Sequence, residues 1–167
     1  MNVRAAEHSE IDSLARVWYD SWRDAHAKIA PAELTRVRTL ESFRDRLEAA
    51  LPNVRVVGEA GEPVGFYFLK EDELYQLFVA ARARGTGVAV ALIDDAERRL
   101  SEAGVETAWL GCAIGNERAA RFYEKRGWHR IGVYVSDLET PNGIMHLDVW
   151  RYEKRVGHLA PRAARAK

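Results

Sequence analysis

Between Leu77 and Ala89 the chain reads Leu-Phe-Val-Ala-Ala-Arg-Ala-Arg-Gly-Thr-Gly-Val-Ala, and no other run constrains the fold as much. An apolar, strand-like stretch meets a turn containing Gly85 and Gly87, and an amphipathic helix pattern starts immediately afterwards. Glycine admits backbone conformations closed to other residues, so successive N–H groups can face one concavity beside the free donors and partial positive charge of a helix start. Such a junction suits a phosphate or pyrophosphate, with Arg82 and Arg84 available for charge-assisted contacts. A glycine-containing loop with solvated arginines remains the plainer alternative. A Walker loop is excluded, because no lysine follows the glycines at the required place. A dinucleotide fingerprint is disfavoured: Val90 stands where its third glycine would fall, and the first strand of the chain lies far upstream.

The rest of the chain alternates strands and helices around that junction. Val3 to Ala6 reads as a strand, and Ser9-Glu10-Ile11-Asp12 has the form of a capping box. Ile11, Leu14, Trp18, Trp22 and Ala25 recur at helical spacing, and after Pro31 a second helix is marked by Leu40, Phe43, Leu47 and Leu51, stopping at Pro52. Val54–Val57 and Val64–Leu69 are strands joined through Gly58 to Pro63, and Leu74–Val79 follows after a charged turn. Val88, Leu92, Ala96 and Leu100 form a helix ending at Gly104. Thr107–Cys112 is a strand, Asn116–Arg126 a helix, and Trp128–Val135 and Ile144–Tyr152 the last strands. The expectation is an α/β fold in one domain: a mixed sheet of about seven strands, helices on both faces, in the order βααβββαβαββ. The domain is expected over 1–154 and a flexible basic tail over 155–167.

Composition narrows the function classes. With 25 basic and 25 acidic residues among 167 the charge balances, which argues against a dedicated nucleic-acid binder. No apolar run is long enough for a membrane span, so no membrane partner is expected. The single cysteine, Cys112, permits no internal disulfide and favours a reducing, cytoplasmic setting. The histidines show no metal-ligand spacing, and no metal is expected.

Two blocks carry a resemblance. Arg84-Gly85-Thr86-Gly87-Val88-Ala89 fits the R/Q-x-x-G-x-G/A signature of the GNAT superfamily of N-acetyltransferases. Asn116 through Trp128 resembles that family's N-x-x-A-x-x-F-Y-x-x-x-G-F block, with Trp for the final Phe. The resemblance implies acetyl-CoA as co-substrate, its pyrophosphate held by Arg84, Gly85, Thr86, Gly87, Val88 and Ala89. It further implies that Leu77, Phe78 and Val79 pair their backbone with the pantetheine arm, that Leu110–Cys112 line the other side of a splayed pair of strands, and that Asn116 touches the arm. Asparagine is also a good helix N-cap, and both roles are compatible.

For catalysis the resemblance points to Tyr123 as general acid, where a half-buried packing aromatic is the simpler reading of an isolated Phe-Tyr pair. Glu73 is the candidate general base, although a charged residue at a strand end is often just solvated. Within the segments that set selectivity in the family, Trp18–Arg38 and Ser136–Gly143, the candidate acceptor-binding residues are Trp22, Asp24 and His26. Aromatics beside carboxylates such as Asp24, Glu33, Asp137 and Glu139 would suit a cationic amine. The expected acceptor is a primary amine of a small molecule, attacked directly in a ternary complex. A protein N-terminus or lysine, and a non-catalytic acyl-CoA-binding module, are the alternatives. Monomer or homodimer is left open.

Overall fold

The computed structural model describes residues 1–157. Along the chain come β1 (Val3–Ala5), α1 (Ile11–His26), α2 (Ala32–Val37), α3 (Leu40–Ala50), β2 (Arg55–Glu59), β3 (Glu62–Lys70), β4 (Glu73–Val79), α4 (Val88–Glu102), β5 (Thr107–Ala113), α5 (Glu117–Lys125), β6 (His129–Thr140) and β7 (Gly143–Arg155). They form a seven-stranded sheet in the order β1-β2-β3-β4-β5-β7-β6. Every neighbouring pair is antiparallel except β4 and β5.

Helices cover both faces, as the periodicity predicts. On one face α4 presents Leu92, Ile93, Ala96 and Leu100 to Tyr67, Leu110, Trp128 and Tyr152. On the other, Leu14 and Trp18 of α1 meet Phe43 and Leu47 of α3 over Phe66 and Phe68. The rings of Trp18 and Phe43 lie 4.8 Å apart, the tilted contact that aromatic quadrupoles favour. Helix α4 sits so close to β3 that a Cβ on Gly65 would meet Val88 Cγ1 at 2.9 Å. That close approach fixes the start of α4 against the end of β4.

Four details differ from the sequence-based expectation. A short extra helix, α2, follows Pro31, whose fixed φ suits a helix entrance. The contact expected of Ser9 and Asp12 belongs to an earlier pair: the Glu10 carboxylate accepts from Glu7 N–H at 2.9 Å. β6 and β7 continue as one long hairpin, so Ser136–Thr140 is strand and only the residues around Pro141 and Asn142 turn. Finally β7 runs to Arg155 and Val156 is buried, which carries the domain past 154. The remainder of the expected tail, from 158, lies outside the described residues.

Candidate active site

The site begins where β4 and β5 part. They pair only at Glu73 and Trp109, with Trp109 N–H donating to Asp72 O at 3.2 Å. Beyond that point β5 stays registered on β7 along its whole length, while β4 stays with β3. The two strands diverge, and the edge of β4 facing β5 is left without a strand partner.

A cavity of about 410 Å³ occupies the divergence. Glu73 to Phe78 form one wall, Leu110 to Ile114 another, and Asn116, Ala119 and Tyr123 of the α5 segment a third. Trp22 and His26 from α1, Arg38 directly after α2 and Arg46 on α3 line the remaining side. The expected wall residues Leu77 and Phe78 are in place. Val79 lies beyond the cavity, where its carbonyl oxygen accepts from Ser21 Oγ at 3.2 Å.

A bulge in β4 re-aims the side chains. Leu69 pairs with Leu74 and Phe68 with Gln76, so Tyr75 is an extra residue. Strict alternation would put Glu73, Tyr75, Leu77 and Val79 on one face. Instead Leu77 and Val79 pack on the α4 side and Tyr75 on the α1 side. The parity argument for the face of Glu73 therefore fails, yet Glu73 still reaches the cavity wall. Burial is the main influence on its carboxyl group and pushes the pKa up to about 7.

At the far end of β4, the turn from Ala80 to Gly87 leads into α4. Gly85 and Gly87 have φ of 76° and 91°, and Gly87 is the N-cap. A Cβ on Gly85 would meet nothing within 4 Å, and one on Gly87 only Met1 Cε at 3.9 Å, so the concavity is open. The first backbone bond of the helix is Ala91 N–H to Gly87 O. Ahead of it, the N–H groups of Val88, Ala89 and Val90 have no backbone acceptor among the described residues. These features fit a pyrophosphate well. The Arg84 guanidinium is engaged by Asp24, Nη2 to Oδ2 at 2.5 Å, with Arg118 3.6 Å from the same oxygen.

Asn116 caps α5, its side chain accepting from Ala119 N–H at 3.3 Å while the residue also lines the cavity. Seven residues on, Tyr123 faces the same cavity. Its ring packs against Phe122, Trp128 and Tyr152, and burial raises its pKa above the ordinary phenol value. Its hydroxyl has no hydrogen-bond partner among the described residues. Cys112 also lines the cavity, but burial pushes its thiol up to about 12, which suits packing and not nucleophilic attack.

The acceptor residues divide. His26 and Trp22 line the cavity. Nδ1 of His26 donates to Trp22 O at 3.1 Å, leaving Nε2 as the acceptor of a neutral ring whose pKa burial lowers to about 4. Asp24 is elsewhere, on Arg84, and Glu33, Asp137 and Glu139 are also absent from the wall. The carboxylates expected to draw a cationic amine are therefore not assembled. Arg38, Arg46, Tyr134 and Asp148 line the cavity without having been singled out in the sequence. One signal was present for Arg46, which follows Phe43 by three and so lies beside the apolar stripe of its helix.

Known proteins resemble this chain in sequence and in fold. Residues 12–128 match the Acetyltransferase (GNAT) family. The peptidyl-lysine N-acetyltransferase YjaB of Escherichia coli is 28% identical over 151 residues, covering 88% of this chain and 95% of its own. A GCN5-related N-acetyltransferase structure from Rhodopseudomonas palustris superposes with a TM-score of 0.72 at 21% identity, over 92% of this chain and 94% of that one. The PaiA N-acetyltransferase from Thermoplasma acidophilum, solved with coenzyme A, gives 0.63 at 18% identity, over 92% and 98%. With the family match covering residues 12–128, the chain belongs to the GNAT family of acetyltransferases.

Proposed function

We propose that the protein transfers an acetyl group from acetyl-CoA directly to a primary amine of a small molecule. The observation carrying this reading is the parting of β4 and β5 at a single residue pair, beside the open glycine turn at the start of α4. Gly85 to Ala89 would receive the pyrophosphate, and the unpaired edge of β4 at Leu77 and Phe78 would receive the pantetheine amides.

The residues at the inner end then divide the proton transfers. An alkylammonium has a pKa near ~10, so only about one molecule in a thousand is a free amine at pH 7. Glu73, with its pKa about 7, is matched to accept that proton. The amine nitrogen bonds to the thioester carbon, the carbon–sulfur bond breaks, and Tyr123 gives its phenolic proton to the departing sulfur. The tyrosinate takes the surplus proton from the acetylated nitrogen, and Glu73 releases its own to solvent, so one proton leaves per turnover. Trp22 and His26 border the acceptor and limit its size.

A peptidyl lysine is the second reading, supported by the activity named for the YjaB relative. The bordering of the cavity by Trp22, His26, Leu34 and Arg38, away from the walls assigned to the pantetheine arm, supports the small acceptor. Release of free thiol from acetyl-CoA, measured with polyamines, aminoglycosides, amino acids and lysine peptides, tests the reading. At 100 times the dissociation constant, acetyl-CoA should stabilise the fold by roughly 2.7 kcal/mol. Gly87→Glu should remove that stabilisation, since its carboxylate would face the pyrophosphate. No thermal shift with millimolar acetyl-CoA would overturn the assignment.

A further inference from the structure

One side of the cavity carries two arginines that form no ion pair among the described residues. Arg38, directly after α2, is only 5% exposed. Its Nη1 donates to the backbone oxygen of Glu139 at 3.2 Å, but no carboxylate pairs with it among the described residues. Arg46 on α3 is half-buried and stacks over the Trp18 ring, 4.3 Å from its centroid. It too has no ion-pair partner among the described residues. Both line the cavity.

Burial is costly for a charged group, and it lowers the pKa of both side chains, that of Arg38 to about 10. The like charge of Arg46 adds to the effect on Arg38. The acidic groups on the same wall are Glu73 at the point where β4 and β5 part and Asp148, which is exposed. The carboxylate of Glu139 attracts Arg46 from outside the wall. Guanidinium groups present donors in a planar fork that matches carboxylate and phosphate oxygens.

We propose that the acceptor is a small primary amine that also carries an oxyanion, a carboxylate or a phosphate-type group, bound by Arg38 and Arg46 while its amine is presented to Glu73. This rests on the transferase reading above and names the substrate class within it. The anion takes no part in bond making. It supplies a counter-charge and holds the amine in one orientation, so its absence costs binding by leaving the buried Arg38 and the half-buried Arg46 without an anion.

Thiol release from the wild-type protein with matched acceptors tests this directly: an aminocarboxylic acid against its carboxamide, an aminoalkylphosphonic acid against its neutral diester, and a simple diamine. The acids should exceed their neutral partners in kcat/KM by about tenfold or more, and the carboxylate and phosphonate arms decide which oxyanion fits. Arg38→Gln should narrow the acid-to-neutral ratio, chiefly through KM. Arg46→Met, which keeps an apolar stem on Trp18, should do the same. Equal turnover of acid and neutral forms, or preference for the diamine, overturns the proposal and leaves the transferase reading intact. A lysine peptide used better than every small acid overturns it as well. Conversely, if unreactive carboxylates stabilise the wild type but not Arg38→Gln and no amine releases thiol, the anion subsite stands and the transferase reading falls.

Discussion

Glu10 and Arg38 are both buried charges in one small domain, and the protein treats them oppositely. Glu10 is fully buried, and its carboxylate accepts from Arg4 at 3.0 and 2.7 Å, from Glu7 N–H at 2.9 Å and from Gly61 N–H at 3.0 Å. These bonds tie β1, the start of α1 and the β2–β3 turn together. Asp95 and Glu97 are handled the same way: Tyr67 Oη donates to Asp95 at 2.6 Å, and Lys154 and Trp128 donate to Glu97 at 2.7 and 3.0 Å. Arg38 has a single carbonyl oxygen. A scaffold compensates the charge it buries, because an unpaired buried ion is costly. A binding wall leaves the compensation to its ligand.

The sharpest break of that contrast is in stability. Glu10→Ala removes the ion partner of Arg4, which keeps the Gly58 and Glu59 carbonyl oxygens, and leaves the Glu7 and Gly61 N–H groups without their acceptor. It should cost about 3 kcal/mol in urea unfolding. Arg38→Gln removes a buried charge that has no ion pair among the described residues, and should leave the unfolding midpoint unchanged or raise it. Acid sharpens the same point. Hydrogen bonding from Arg4 is the main influence that holds the Glu10 pKa down to about 2, against 4.5 unperturbed. Its contribution is therefore complete above about pH 4.5 and is lost as pH falls towards 2. Wild type should show that acid limb in unfolding experiments, and Glu10→Gln should not.

Tyr123 extends the contrast from charges to polar groups, since it lines the cavity and its hydroxyl has no hydrogen-bond partner among the described residues. Tyr123→Phe keeps the ring against Trp128 and Tyr152, so folding and acetyl-CoA binding should be retained. Turnover should fall by about a hundredfold or more where chemistry limits the rate. Near-normal turnover there would mean that water protonates the leaving thiolate.

The sequence made some of this visible and hid the rest for identifiable reasons. The strand-to-helix junction at Gly85 and Gly87 was legible because turn, charge and helix start are all local. Asn116 and Tyr123 were singled out through the resemblance of the Asn116–Trp128 block, and both line the cavity. The β4 bulge was not: an extra residue at Tyr75 depends on register with β3, which no local pattern records. Asp24 was misplaced because its helix phase says nothing about Arg84, distant in sequence and brought near by the fold. Arg38 and Arg46 were passed over because arginines are ordinarily solvated; the place of Arg46 beside its apolar stripe hinted at burial, and for Arg38, just past α2, only packing reveals it.

Glu73 tests whether the cavity tunes an acid by the same lack of compensation. A carboxylate must be deprotonated to accept the amine's proton, so kcat/KM should rise with pH up to a break near 7 and level there with respect to this group. The acceptor's own ionisation adds a separate rise towards its pKa near ~10. Glu73→Gln should delete the lower break, keep the upper rise and lower the rate by about tenfold, since water can relay the same proton. A break near 7 that survives in Glu73→Gln would assign the base elsewhere.

The smallest effect belongs to Asp24, whose partners are fully in hand. Hydrogen bonding and charge from Arg84, with Arg118 adding to it, hold its carboxyl below the usual range. The pair is half-exposed on both sides, and surface ion pairs contribute ~0–1 kcal/mol, so Asp24→Asn should barely move the unfolding midpoint. Its effect on ligand binding should be larger than its effect on folding. The carboxylate places negative charge on the arginine beside the open turn at Gly85 and Gly87, where a pyrophosphate would bring more of the same sign. Removing it frees Arg84 and eases that repulsion, so the dissociation constant for coenzyme A should fall by about threefold at low salt and by less at high salt. Titration calorimetry at two ionic strengths reads this directly. Weaker binding in Asp24→Asn would show that Asp24 holds Arg84 in the orientation the phosphates need, which would make it a compensated charge serving the ligand and break the division between scaffold and site.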